Sequence, residues 1–228
     1  MATYNGFVRL GTLRNKTTIK PRPSLPWRSD VEPYPGRGPG NIHNFSSDPT
    51  MTNWNIGDTD ATEANHLYWH KIKDGTKTLL VCDRNILVGV SWNDLNGDNR
   101  VLGKNITIDG QQYKLRLLIN SDPTNEWDHF VANKEVITEI PVPTASDLDS
   151  MLNENDYIGK HNQFWNWMGA YSFAQDMAGS SGTTRVRGYS SPHKWDTIPS
   201  SQRGESYGWR PVLEVNALMR EEVIGSDR

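Results

Sequence analysis

His161-Asn162-Gln163-Phe164-Trp165-Asn166-Trp167-Met168-Gly169-Ala170-Tyr171-Ser172-Phe173, followed by Thr184-Arg185-Val186-Arg187-Gly188-Tyr189-Ser190-Ser191 and then by Tyr207-Gly208-Trp209-Arg210-Pro211-Val212-Leu213-Glu214-Val215, decides how this chain is read. Large aromatic side chains with a polar tip build either an organised core or a contact face. Trp165 and Trp167 stand two apart, which on an extended chain puts both indoles on one face, the usual spacing of core. Arg185-Val186-Arg187 alternates about a buried valine, and Val212 to Val215 reads as a strand. Between these pieces, residues 179–182 and 190–204 are polar and rich in Gly and Ser, and the loops carry Tyr189, His193 and Trp195 up to Tyr207. Strands form the frame and loops present the aromatics.

Upstream, the chain reads as sheet. Thr78 to Cys82 and Ile86 to Trp92 flank Asp83-Arg84-Asn85 and predict a hairpin. Asn105 to Ile108 and Gln112 to Leu118 flank Asp109-Gly110, the strongest short hairpin signal; Tyr113, Leu115 and Leu117 alternate there with Lys114 and Arg116, one face buried and one wet. Two short helices are predicted. Thr124 or Asn125 caps a turn with Trp127, Phe130 and Val131 on one side, and Ser146 caps a second helix from Asp147 to about Asn153, with Leu148, Met151 and Leu152 inward. Modest helices beside a hairpin-rich sheet give an α+β class.

Residues 1–50 differ from the rest. Pro21, Pro23, Pro26, Pro33, Pro35, Pro39 and Pro49 interleave with Gly36, Gly38 and Gly40 and favour an extended path, while Arg9, Arg14, Lys16, Lys20, Arg22, Arg28 and Arg37 make it basic. Residues 1–50 therefore read as an extended Pro-rich arm and 51–228 as the folded domain. Leu25, Trp27, Val31, Tyr34, Ile42 and Phe45 are too apolar for a solvated tail, so the arm is expected to order against a neighbouring subunit.

Composition narrows the function. Of 228 residues 35% are hydrophobic, with nine Trp and eight Tyr making up for few aliphatics. A net charge of −3 argues against a nucleic-acid coat. The single Cys82 excludes an internal disulfide framework, and no membrane span or signal peptide is read. Asp94 to Asn99 opens like a calcium loop, but Asn99 stands where Gly is needed and Asn105 where a bidentate Glu is needed. His66 and His70 lack the Glu of a zinc-protease helix, position 67 being Leu67, and no Gly-x-Ser-x-Gly elbow occurs. The expectation is no enzyme, no cofactor and no metal.

The Trp-x-Trp, the Arg-Val-Arg-Gly-x-Ser strand and the terminal Gly-Trp-Arg strand, in that order, resemble the C-terminal half of the C-type-lectin-like fold over about residues 120–216, with weaker support back to about 78. The branch is the one shared by formylglycine-generating-enzyme-like domains and retroelement-diversified variable proteins, including phage receptor-binding tips. The Gly208 to Glu214 ending is also similar to proteins of phages and prophages of Gram-positive bacteria. The cysteines that the oxygen-dependent formylglycine enzymes use for copper are missing, and Trp92-Asn93-Asp94 lies in the wrong order for the calcium-dependent sugar site. The resemblance thus implies a binding module on a virion, at the tail tip, fibre or head surface, made in the host cytoplasm and forming a homo-oligomer, with a host surface glycan or protein as its ligand. Neither nucleic acid nor membrane insertion is expected. The candidate contacts are Asn166, Tyr171, Tyr189, His193, Trp195, Arg203 and Tyr207. Two other readings stand beside it: a virion decoration or connector protein anchored on neighbouring subunits through residues 1–50, and an enzyme on the formylglycine scaffold, which the missing cysteines disfavour.

Overall fold

The structure, a computed structural model, describes residues 1–28, 38–149, 151, 156–178 and 182–215. Two curled sheets dominate it. The first contains β1 (Thr3–Asn15), β2 (Thr18–Lys20), β4 (Trp54–Gly57), β5 (His66–Asp74), β6 (Lys77–Cys82), β8 (Lys104–Ile108), β9 (Gln111–Arg116) and β14 (Val212–Val215), in the order β2-β1-β5-β6-β14-β9-β8 with β4 on β1. The second contains β3 (His43–Asn44), β7 (Leu87–Val88), β10 (Tyr171–Met177), β11 (Thr183–Gly188), β12 (Trp195–Pro199) and β13 (Tyr207–Trp209), in the order β12-β11-β10-β13-β7-β3. Helical pieces are short: α1 (Trp92–Gly97), a π-helical turn (Trp127–Val131), α2 (Ala145–Leu148) and α3 (Lys160–Trp165).

With 39% strand and 16% helix, the α+β class expected alongside the C-type-lectin resemblance is corrected to a mostly β fold. The helices are too short to stand without the sheets, since isolated helices under about 12 residues are marginal in water. Local caps start two of them. Ser91 and Asp94 form a capping box on α1, which overlaps the stretch that opens like a calcium loop, and Thr144 with Asp147 forms one on α2, two residues before the expected cap. Leu148 and Met151 point outward, not inward; Leu152 lies outside the described residues.

The extended Pro-rich arm is also corrected. Thr3 to Asn15 is a strand of the first sheet, and its Gly6 (φ 80°) and Gly11 (φ 70°) lie at register shifts against β5 that each insert one residue. Each bulge reverses which face a side chain takes. As a result Tyr4 packs toward the helical side while Val8, Leu10 and Leu13 all reach the core between the sheets. Beyond β2, Arg22 binds Asp83 at 2.5 Å and lies 3.9 Å from the Tyr68 ring centre, Pro23 O accepts from Arg84 Nη1 at 2.5 Å, Trp27 packs on Tyr157, and Phe45 is fully buried. Val31 and Tyr34 lie outside the described residues.

The predicted hairpin at Asp83-Arg84-Asn85 is a crossing between sheets. β6 pairs with β5 and β14 in the first sheet, and β7 pairs with β13 and β3 in the second. The chain 207–215 crosses the other way, from β13 to β14. Cys82 N–H donates to Pro211 O (3.1 Å) and Ile86 N–H to Trp209 O (2.9 Å), so the two crossings bend together. At the bend, the buried Arg210 guanidinium donates to Cys82 O (3.1 Å), Asn166 O (3.0 Å) and Ser172 Oγ (3.1 Å). Asp83 is buried beside it. Burial alone would raise its carboxyl, but Arg84 and Arg22 outweigh that and hold it below the usual range. Strand β6 reads as unbroken apolar chain because both its faces are covered: Leu80 and Cys82 enter the core between the sheets, Leu79 and Val81 the core under the helices.

The Asp109-Gly110 hairpin forms as predicted, with positive φ at both residues. Arg116 is not wet: it is buried, donating to both Glu126 carboxylate oxygens at 2.7 Å and to Glu214 at 3.1 Å. Trp127, Phe130 and Val131 are buried as their spacing suggested, while Trp165 and Trp167 are core without sharing a strand. Trp165 ends α3, and Asn166 (φ 47°) turns the chain.

Candidate ligand-binding surface

Parallel pairing of β10 with β13 sets Tyr171 beside Tyr207. Antiparallel pairing of β10 with β11 sets Tyr171 opposite Gly188, which leaves the place across the ladder without a side chain. A Cβ at Gly188 would stand 3.0 Å from Trp167 O, and φ is 92° there, so glycine fits the approach. Tyr189 follows with φ 75°. Its N–H donates to Trp167 O (2.8 Å) and its carbonyl accepts from Gly169 N–H (3.0 Å), bonds that hold the turn.

The consequence is a row of rings. Tyr189 lies on Tyr171 with centroids 5.0 Å apart and planes 13° apart, and Tyr171 lies beside Tyr207 at 5.9 Å and 20°. All three tyrosines are half-buried. Phe173 continues the row into the core, 6.3 Å from Tyr207. Gln202 Nε2 donates to the Tyr207 hydroxyl at 3.2 Å. Burial first, then the Asp196 carboxylate and the neighbouring phenols, push the Tyr171 hydroxyl up to about 12; the same order of causes raises Tyr207. Both phenols therefore keep their protons at neutral pH and can donate as well as accept.

Of the seven residues singled out from sequence, the fold brings Tyr171, Tyr189 and Tyr207 together. Asn166 is buried, with Nδ2 donating to Asp83 O (3.2 Å) and Gln163 O (3.4 Å), so it holds the bend. His193 is half-buried, and burial, then Lys134, lower its pKa; its neighbours Asp128 and Ala132 belong to the π-helical turn and its end. Trp195 is 55% exposed with the Arg185 guanidinium 5.4 Å from its ring centre. Strand alternation puts that pair on the sheet face opposite the tyrosines. Arg203 is bound to Asp94 at 2.6 Å and lines an open cleft of about 410 Å³ with Asn44, Ser46, Gly89 and Glu205, four residues before Tyr207. Asp196 and Gln202 were missed. Alternation within the strand would have separated Asp196 from Trp195, but the row it joins depends on pairings distant in sequence.

Other polar groups are structural. His161 Nδ1 accepts from Trp167 Nε1–H (2.9 Å) while Nε2 donates to Val131 O (2.9 Å). Indole is only a donor and a carbonyl only an acceptor, so this ring is neutral. Among the described residues no group of three or more His, Cys, Asp or Glu side chains is placed to hold a metal ion, and no helix is long and apolar enough to cross a membrane. Comparison with protein-family models, with curated proteins and with solved structures returns no match.

Proposed function

We propose that the protein is a non-enzymatic binding module of a phage virion surface and that it holds a host surface glycan against Tyr189, Tyr171 and Tyr207. Tyr189 carries this reading. A bulky residue with positive φ stores strain, and such strain is concentrated at working sites. Here it lays one phenol on another at a half-exposed surface, where glycine would hold the same turn without strain. Tyrosine combines a rigid apolar body with a hydroxyl at low entropic cost, which suits sugars. The likeness of Gly208 to Glu214 to phage and prophage proteins supports the virion setting.

The test is binding of the purified chain and of a Tyr189→Ala, Tyr207→Ala double variant to intact Gram-positive cells and their cell-wall polysaccharide, with folding checked by near-UV circular dichroism. Saturable binding lost in a folded variant is the expected result. Equal binding by both would move the site elsewhere, and no binding by the wild type would leave a structural virion role.

A further inference from the structure

Resting on that reading, we infer that the tyrosine surface takes an uncharged, hydroxyl-rich saccharide and discriminates against anionic polymers, with Asp196 as the residue that sets the preference. The sheet register places it there. Asp196 stands opposite Val186, and Val186 opposite Phe173, so Asp196 shares the sheet face of Phe173 and Tyr171, one row along from Tyr171 and Gly188. Gly188 contributes no side chain to that face, so none stands in its row between β12 and Tyr171. Asp196 is exposed, and its Oδ1 accepts Thr197 N–H at 2.8 Å, which fixes the carboxylate at the rim. After burial, its charge raises both the Tyr171 and the Tyr207 hydroxyl.

The nearby arginines are committed elsewhere. Arg203 is held by Asp94, Arg187 by Asp128 and Asn120, and Arg185 lies with Trp195 on the opposite face. An anionic polymer would therefore meet the exposed Asp196 carboxylate with no guanidinium to offset it, Lys194, two residues before it, being half-buried, and like charges at a contact are a common device of specificity.

The geometry also separates sugars from organic cations. A cage for a quaternary ammonium needs ring faces turned toward one centre. Here the planes are only 13° and 20° apart, so the rings cover part of each other and present their hydroxyl-bearing edges in a row. Phenol hydroxyls and the Gln202 amide together offer donors and acceptors, and a sugar hydroxyl is both.

The experiment compares three forms of the uncharged polysaccharide fraction of the cell wall: native, partly carboxymethylated, and hydroxyethylated to a similar degree as a neutral control for bulk. Binding of wild type and Asp196→Asn is measured at low ionic strength, where charge effects are least screened. Wild type is expected to bind the native and hydroxyethylated forms at least about threefold more tightly than the carboxymethylated one, the factor for like charges some 6 Å apart in water. Asp196→Asn is expected to erase that difference while binding the native form. Equal wild-type binding to all three, preference for the carboxymethylated form, unchanged discrimination in Asp196→Asn, or displacement of the saccharide by choline would each overturn the inference. Failure of the underlying reading shows separately, as unchanged binding in the Tyr189→Ala, Tyr207→Ala variant.

Discussion

Replacing Tyr189 by glycine and by alanine separates backbone strain from ring contact. At φ 75° an L-residue stands where the left-handed conformation costs roughly 1–2 kcal/mol. The stack on Tyr171 at 5.0 Å returns about 0.5–1.5 kcal/mol. Alanine keeps the strain and loses the stack, so it should destabilise by about 1 kcal/mol. Glycine also loses the stack but removes the strain, at a cost of about 0.5–1 kcal/mol in unfolded-chain entropy. Tyr189→Gly should therefore unfold in urea within about 1 kcal/mol of wild type and be more stable than Tyr189→Ala. Both should lose polysaccharide binding. If alanine equals or exceeds glycine in urea midpoint at unchanged m-value, the turn is not strained as argued; if the glycine variant binds with full affinity, the ring is no ligand contact.

Arg210→Met removes the donors to Cys82 O, Asn166 O and Ser172 Oγ and, by leaving buried acceptors unmet, should cost about 3 kcal/mol or more in chemical denaturation; a loss under about 1 kcal/mol would show that the bend does not depend on it. Acid should also weaken the fold. Burial, first among the causes, depresses His70 and His161 to about 4 from an ordinary 6.5. Between those values the unfolded chain binds more protons than the folded one, so stability falls as pH drops from 6.5 toward 4, by up to about 3 kcal/mol for each ring. The urea midpoint followed from pH 7 to 4.5 checks this, and a flat profile down to pH 5 would refute it.

How much of this was legible in the sequence depended on whether the signal was local. Asp109-Gly110 announced its turn because both residues tolerate positive φ. Trp127, Phe130 and Val131 announced a buried helical side by spacing alone. The crossing at Asp83 to Asn85 gave no such cue, since β6 is covered on both faces and β7 has only two residues. Arg116 alternated like a solvent residue, and its buried partners, Glu126 and Glu214, lie ten and ninety-eight positions away. The tyrosines were individually visible as loop aromatics. Their meeting was not, because it depends on parallel pairing of β10 with β13, and Trp195 was grouped with them only because loop position says nothing about which face a side chain takes.

The polar interior and the surface tyrosines belong to one construction. Asn85 is buried, donates through Nδ2 to Ala170 O (3.4 Å) and Tyr171 O (3.3 Å), and accepts the Ser172 hydroxyl at 3.0 Å. Ser172 in turn accepts from Arg210, whose other bonds hold Cys82 and Asn166. A Cβ on Gly208 would stand 2.6 Å from the Asn85 side chain, so β13, which carries Tyr207, closes directly over the same network. An aliphatic core could fill this space, but it would remove the side-chain donor that the carbonyls of Ala170 and Tyr171 share at the point where the two sheets part. The chain instead fixes them from beneath with directional bonds, so the rings of Tyr171 and Tyr207 rise from a backbone with little freedom left to lose. Ordering of side chains and loops is a main cost of binding, and a contact surface already ordered by the interior avoids most of it. That gives a physical reason for the composition: few aliphatics, many aromatics, and buried arginine and asparagine where a conventional core would place leucine.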